Sequence, residues 1–244
     1  MNTVIRAAVA ADFARLAEIG AEGDATGIDP HYLGFIARAG RLLVAADDRD
    51  VVAFGGMVPA GGVAMVTDMF VAAECRGHGV GGALLERLLA GHDHRMTFSS
   101  QHPAALPAYR RVGMQPRWRL LYLSGAATGA GTGLQRGTWR GDRPELVEHY
   151  SLGGAVVCEH AVVRVTEEYA TVERLQHTDA PQVMAQVLAA LPEGLVVRAC
   201  VPEPHPLAPW LLANGFAISD HDLFCASPRV EFPADVACVH AGLA

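Results

Sequence analysis

The stretch from Met65 to Leu85 constrains the fold of this chain more than any other. A strand-like run, Met65-Val66-Thr67-Asp68-Met69-Phe70-Val71, leads through Ala72-Ala73-Glu74-Cys75 to Arg76-Gly77-His78-Gly79-Val80-Gly81-Gly82. Leu84, Leu85, Leu88 and Leu89 then share one helical stripe. Glycines let the backbone come close to a ligand, and the first turn of a helix presents unpaired N–H groups with a partial positive charge. Strand, arginine, glycines and helix in that order make an anion site suited to a pyrophosphate, with Arg76 adding a permanent charge. The plainer alternative is an ordinary glycine-rich turn.

Hydrophobic periodicity on either side alternates between helix and strand. Val4 to Ala8 is a short apolar run, and Phe13, Leu16 and Ile19 fall at helical spacing with Asp12 as the expected cap. His31 to Ala39 reads as a second helix. Leu42 to Ala46, Val51 to Val58 and Val63 to Val71 are strand-like, separated by Asp47-Asp48-Arg49-Asp50 and Pro59-Ala60-Gly61-Gly62, both hairpin-turn chemistry. Met96 to Ser100 is strand-like, Ala104 to Val112 helix-like and Trp118 to Leu123 strand-like. The expected class is α/β (α+β), with a mixed, mostly antiparallel sheet flanked by helices.

Between Ser124 and Arg143 glycines at 125, 129, 131, 133, 137 and 141 alternate with Ala, Thr and Arg. Such a stretch cannot bury a core and reads as a linker or a long surface connection. Beyond it the chain echoes itself. His102-Pro103-Ala104-Ala105-Leu106-Pro107 through Gly113 is answered by His205-Pro206-Leu207-Ala208-Pro209 through Gly215-Phe216. Each echo follows one strand-like run and precedes another. Upstream of the second, Ala155 to Val165 and Ala170 to Leu175 read as a hairpin and Pro181 to Leu191 as a helix. The expected organisation is a ligand-binding domain over residues 1–124, a glycine-rich linker over 125–143, a degenerate second half over 144–228 and a tail over 229–244.

Composition removes several function classes. Of 244 residues, 51% are apolar and 18% charged, against an average charged share of ~25%, which excludes a disordered chain. No apolar run approaches the roughly 18 residues of a membrane helix. The N-terminal residues lack a signal-type core, so the expected location is cytoplasmic. Nineteen basic against 26 acidic side chains give a net charge of −7, which argues against general affinity for nucleic acid or an anionic membrane. All nineteen basic residues are arginine, so lysine Schiff-base chemistry and a Walker-type lysine are ruled out. Cys75, Cys158, Cys200, Cys225 and Cys238 are widely spaced and form no C-x-x-C pair, so isolated thiols are expected, with neither a metal site nor a disulfide framework.

Two ligand classes compete for the loop. Gly77-x-Gly79-x-x-Gly82 satisfies the dinucleotide fingerprint. That fingerprint sits directly on its strand in a parallel βαβ unit, with a ribose-binding acid about 20 residues on. Here five residues separate Val71 from Gly77, the strand belongs to an antiparallel meander, and positions 96–103 offer no acid. Arg76-x-x-Gly79-x-Gly81 instead resembles the acyl-CoA loop of the GNAT superfamily of N-acetyltransferases. Downstream, Ala105 and Tyr109 to Gly113 resemble that family's Ala-x-x-x-Tyr-x-x-x-Gly-Phe helix, with Met114 in place of the phenylalanine. Residues 3–124 follow the family's element order. The resemblance implies acetyl-CoA as co-substrate, its pantetheine arm paired with the main chain of Met69, Phe70 and Val71. Its pyrophosphate would lie on the amides of Arg76, Gly77, His78, Gly79, Val80, Gly81 and Gly82. Two departures stand out: His102 where the family commonly has asparagine, and Pro107 inside the tyrosine helix, where it is expected to remove a hydrogen bond and kink it. The second half has Asp179-Ala180-Pro181-Gln182 where a pyrophosphate loop would need arginine and glycines, and so is expected to bind no cofactor.

Acetyl transfer to an amine needs a neutral nucleophile, a polarised thioester carbonyl and a proton for the leaving thiolate. On the family's tyrosine position, Tyr109 is the candidate general acid, with packing of the helix onto the sheet as the alternative. Asp68 is a candidate base, direct or through water, against a plain hydrogen-bonded aspartate. His102 is another, against helix capping or exposure. His78 is expected to face solvent and Cys75 to pack. The expected function is transfer of an acetyl group from acetyl-CoA to a primary amine, small-molecule or peptide, by direct attack, with a homodimer left open. A CoA-binding sensor and a dinucleotide-dependent oxidoreductase are the alternatives.

Overall fold

Short apolar runs joined by polar turns set the first part of the chain. In the computed structural model, which describes residues 3–23, 25, 28–129 and 131–243, they become β1 (Val4–Ala7), α1 (Phe13–Ala21), α2 (Pro30–Ala39), β2 (Arg41–Ala46), β3 (Val51–Ala60), β4 (Val63–Val71), α3 (Val80–Leu88), β5 (Arg95–Ser99) and α4 (Ala105–Arg111). The β2–β3 turn closes because Asp47 Oδ1 accepts the amides of Arg49 and Asp50 at 2.9 and 3.0 Å. Helix α2 begins at Pro30, and Asp29 Oδ1 caps it by accepting the Tyr32 amide at 2.8 Å. Asp12 does not cap α1 as expected. Its carboxylate turns back to accept the Val9 amide at 2.8 Å and two N–H groups of Arg6 at 2.7 and 2.8 Å. Pro107 leaves α4 intact, because it stands at the third helical position, where the missing N–H would have had no partner inside the helix.

The rest of the chain forms β6 (Gln115–Ala126), α5 (Pro144–Leu152), β7 (Val156–Val157), β8 (Ala161–Val165), β9 (Tyr169–Gln176), α6 (Ala180–Ala190), β10 (Val196–Pro202), α7 (Leu207–Ala213), β11 (Ala217–Ala226) and β12 (Val236–Cys238). Helix α5 and strand β12 were not expected from the sequence.

These elements sort into two compact units that interleave along the chain. Unit 1 comprises residues 1–98, 103–115 and 225–230; unit 2 comprises 99–102, 116–224 and 231–244. Residues 116–124, the end of the first domain as read from the sequence, therefore lie in unit 2. The reason is strand pairing: β6 runs antiparallel to β10 over seven register positions, from Leu120↔Pro202 to Ala126↔Val196. The segment read as a linker is also part of unit 2. The amides of Gly133, Gly137 and Arg140 donate to the carbonyls of Ala190, Val157 and Glu159 at 3.0 Å each. A Cβ at Gly129 would collide with the Leu191 carbonyl, so glycine there permits a close approach that no other residue would.

In unit 1 the sheet order is β1-β2-β3-β4-β5, antiparallel except for β4 and β5. Adjacent glycines on β3 mark its two faces. A Cβ on Gly55 would approach Leu88 of α3, and one on Gly56 would approach Ile36 of α2, so α2 and α3 cover opposite faces. The expected leucine stripe of α3 is fully buried. In unit 2 the order is β11-β6-β10-β9-β8-β7, with β12 also on β9. Its core joins Val183, Met184, Val187 and Leu188 of α6 to inward residues of β6, β8, β9 and β10.

Strands β4 and β9 share two features of pairing, a bulge and the end of a parallel ladder. In unit 1, Gly56 pairs with Asp68 and Met57 with Val66, so Thr67 is the extra residue of a β-bulge in β4. In unit 2, Val162 pairs with Arg174 and Val163 with Val172, leaving Glu173 as the extra residue in β9. The parallel ladders β4–β5 and β9–β10 end at Val66 and Val172, each directly before its bulge.

Candidate active site

Two features of β4 create the opening. The bulge at Thr67 rotates the strand, and the parallel pairing with β5 stops at Val66↔Thr97. Thr97 Oγ1 closes the ladder by donating to the Val66 carbonyl at 3.0 Å. Beyond this point, no strand among the described residues pairs with Met69 or Phe70 on the edge away from β3. An edge of free N–H and C=O groups is a template for an extended ligand that carries amides.

The strand leads through a 3-10 turn, Ala73–Cys75, into the loop. Gly77 and Gly79 have φ of 81° and 83°, left-handed values that explain glycine at both. Gly79 is the N-cap of α3, and no side chain caps the helix. A Cβ on Gly82 would meet nothing within 4 Å, so the space before the first turn is open. Arg76, Gly77, His78 and Gly79 are exposed, whereas Val80 is buried with Cys75 and Leu84 and offers the site only its amide. Arg76 is anchored by Nε donating to the Val71 carbonyl at 3.0 Å. Glu22, which the sequence did not single out, accepts the Ala73 amide at 3.0 Å and so ties the end of α1 to this turn.

Asp68 is buried at 8% exposure and accepts the Tyr32 hydroxyl at 2.9 Å on Oδ2. Gly56 makes room for it, since a Cβ there would lie 3.2 Å from that same oxygen. Tyr32 escaped sequence reasoning because its link to Asp68 spans 36 residues and belongs to no local pattern. Tyr109 is buried on α4 in unit 1. His102 is exposed and falls in the stretch 99–102 that belongs to unit 2. Burial, with the charges of Glu74 and Asp47, raises the Cys75 thiol above its ordinary range, which fits packing and not nucleophilic attack. None of the five cysteines is in a disulfide.

The start of α6 shows the opposite arrangement to that of α3. Asp179 is its N-cap and accepts the Gln182 amide at 3.2 Å, so a carboxylate of the chain already occupies the position where an external anion would sit. One expectation about the loop is corrected. β4, α3 and β5 do make a parallel strand–helix–strand unit, paired at three positions. The 3-10 turn between strand and glycines still separates it from a dinucleotide site, where the glycines follow the strand directly. No group of three metal-ligating side chains occurs among the described residues, and no described helix is long and apolar enough to cross a membrane.

Residues 38–116 match the family described as "Acetyltransferase (GNAT) domain". No curated protein matches the chain in sequence. Among solved structures, a protein from Pyrococcus horikoshii assigned as an acetyltransferase is 14% identical, covers 99% of this chain and 96% of its own, and superposes with a TM-score of 0.74. A GCN5-related N-acetyltransferase from Anabaena variabilis is 13% identical with a TM-score of 0.56, covering 92% of this chain and 72% of its own. A Thermoplasma acidophilum protein with a similar assignment is 16% identical with a TM-score of 0.53, covering 91% and 98%. At these identities the likeness is one of fold, and it extends over both halves of the chain.

Proposed function

Residues 38–116 match a GNAT acetyltransferase domain, and from that premise we propose that the protein moves an acetyl group from acetyl-CoA to a primary amine. The observation that carries this reading is the junction of two features, the open edge of β4 at Met69 and Phe70 and the start of α3 behind Arg76, which no side chain caps. Extended amides fit the first and a pyrophosphate fits the second. Acetyl-CoA supplies the acetyl group as a thioester.

The chain's own residues then have separable tasks. The amides from Gly77 to Gly82 and the guanidinium of Arg76 hold the diphosphate. Main-chain groups of Met69–Val71 align the arm, so that the thioester lies near the bulge at Thr67. Asp68 takes the proton released as the acceptor nitrogen bonds to the acyl carbon, directly or through a water. Tyr109 gives its phenolic proton to the sulfur as the C–S bond breaks. Tyr32 acts through Asp68 and is a positioning residue. The acceptor proposed is a small-molecule or peptide amine, and five cysteines with no disulfide among them suit a reducing, cytoplasmic setting.

Calorimetric titration with acetyl-CoA and a CoA-release assay over a panel of amines test this. One equivalent should bind to the intact chain, binding should vanish in Arg76→Glu, and CoA should be released with at least one amine. Binding that survives Arg76→Glu would refute the loop assignment; binding without release from any amine would leave a CoA sensor.

A further inference from the structure

Unit 2 repeats the opening that unit 1 presents, and the repeat is filled. Counting from the end of each parallel ladder, Leu175 and Gln176 of β9 stand where Met69 and Phe70 stand on β4, three and four residues past Val172 and Val66. In unit 1 that edge has no strand on it among the described residues. In unit 2, β12 lies on it, with Cys238 opposite Leu175 and Val236 opposite Gln176. The contact continues on both flanks. The His177 amide donates to the Asp235 carbonyl at 2.9 Å, and Gln176 Nε2 donates to Asp235 Oδ2 at 2.9 Å. On the other side the Val239 amide donates to the carbonyl of Cys200, the residue of β10 just beyond its last pair with β9. Val236, Ala237, Cys238 and Val239 are each 1% exposed or less.

We propose that the C-terminal segment Asp235–Val239 is a built-in substitute for a ligand, a peptide strand lodged in the second copy of the slot that takes an amide-bearing arm in the first. Three features agree. The bulge and ladder end that open the slot are retained in β9 at matching positions, although unit 2 has no glycine loop to use it. The slot's polar edges are satisfied by the tail on both sides, which a buried notch between two strands requires. The helix that would face an anion is capped by Asp179. Thus the second half binds no cofactor because the chain fills both parts of the site itself. The correspondence rests on registers within this chain and stands whether or not the first half acetylates an amine.

A protease recognition sequence inserted between Val230 and Glu231 allows the tail to be cut after folding, and the cut leaves residues 225–230 with unit 1. The expected result is that the released fragment, residues 231–244, co-elutes with the body on gel filtration and exchanges with a fluorescein-labelled synthetic peptide of the same sequence, but not with a scrambled one. Washing the fragment out under mild denaturant should speed amide exchange at His177 by tenfold or more, while acetyl-CoA capacity stays at one equivalent. A fragment that departs at once with His177 exchange unchanged would overturn the proposal. So would a second equivalent of acetyl-CoA binding after release, since the slot would then be a working site that the tail blocks. A second variant, Val239→Pro in the uncut chain, removes the N–H that reaches Cys200 and should accelerate exchange across β12 without altering acetyl-CoA affinity.

Discussion

The hydroxyl of Tyr32, on the second helix, donates to the buried carboxylate of Asp68 on β4 at 2.9 Å. A hydrogen bond to the charged form of a carboxylate favours that form. If Asp68 is the base, Tyr32→Phe should move the acidic limb of the kcat/KM profile to higher pH and leave acetyl-CoA affinity intact. Asp68→Asn should lower kcat by the 10²–10⁴-fold typical of general acid–base catalysis. A merely structural Tyr32 would change stability without moving the pH profile.

In unit 2 the Tyr122 hydroxyl donates to Asp222 Oδ2 at 2.6 Å. Burial raises the Asp222 carboxyl above its ordinary range, with the Tyr122 hydrogen bond pulling the other way and the charge of Asp220 adding to the rise. A carboxyl whose folded pKa is raised penalises the native state at pH 7, and the penalty lifts as pH falls through the folded value. Asp222→Asn should therefore keep stability at pH 7 equal to or above wild type and flatten its dependence on acid. Tyr122→Phe strips the carboxylate of its donor and should cost about 1–3 kcal/mol in urea unfolding.

The Arg6–Asp12 pair gives the opposite sign. The Arg6 hydrogen bonds, helped by the Val9 amide and opposed by burial, hold the Asp12 carboxyl below its ordinary range. Its contribution is present above the unfolded pKa of about 3.9 and is lost as pH falls through the lower, folded value. Because the Arg6 side chain is 41% exposed, solvent weakens the pair. Asp12→Asn should cost about 1 kcal/mol at pH 7, and the difference from wild type should close as pH falls through the lowered, folded value in acid titrations followed by circular dichroism.

The local grammar of the chain was legible where short-range chemistry decides the outcome. The Arg76–Gly82 loop, the leucine stripe of α3, the Asp47 turn and the echo around His102 and His205 were all readable. Each depends on neighbours within a few residues. What escaped was non-local. Strand β12 is three residues long, and nothing in Val236-Ala237-Cys238 predicts a strand without the gap between β9 and β10 that it fills. The placement of β6 beside β10 follows from pairing partners some 75 residues apart, a register that periodicity cannot reveal. Helix α5 was hidden by the glycines before it, and Tyr32 by its distance from Asp68.

Interleaving of the two units bears on how the protein is made. Unit 1 is complete only with residues 225–230, and unit 2 closes with 231–244, so neither can finish folding until that last segment of its own has left the ribosome. At about 5–20 residues per second, the stretch from the end of β6 to the end of β11 keeps the leucine-rich β6 waiting for roughly 5–20 s. A nascent chain in that state exposes apolar strands to its neighbours on the polysome. Its yield in a cell should therefore depend on translation speed and on chaperones that shield emerging strands, more than the stability of the finished molecule would suggest.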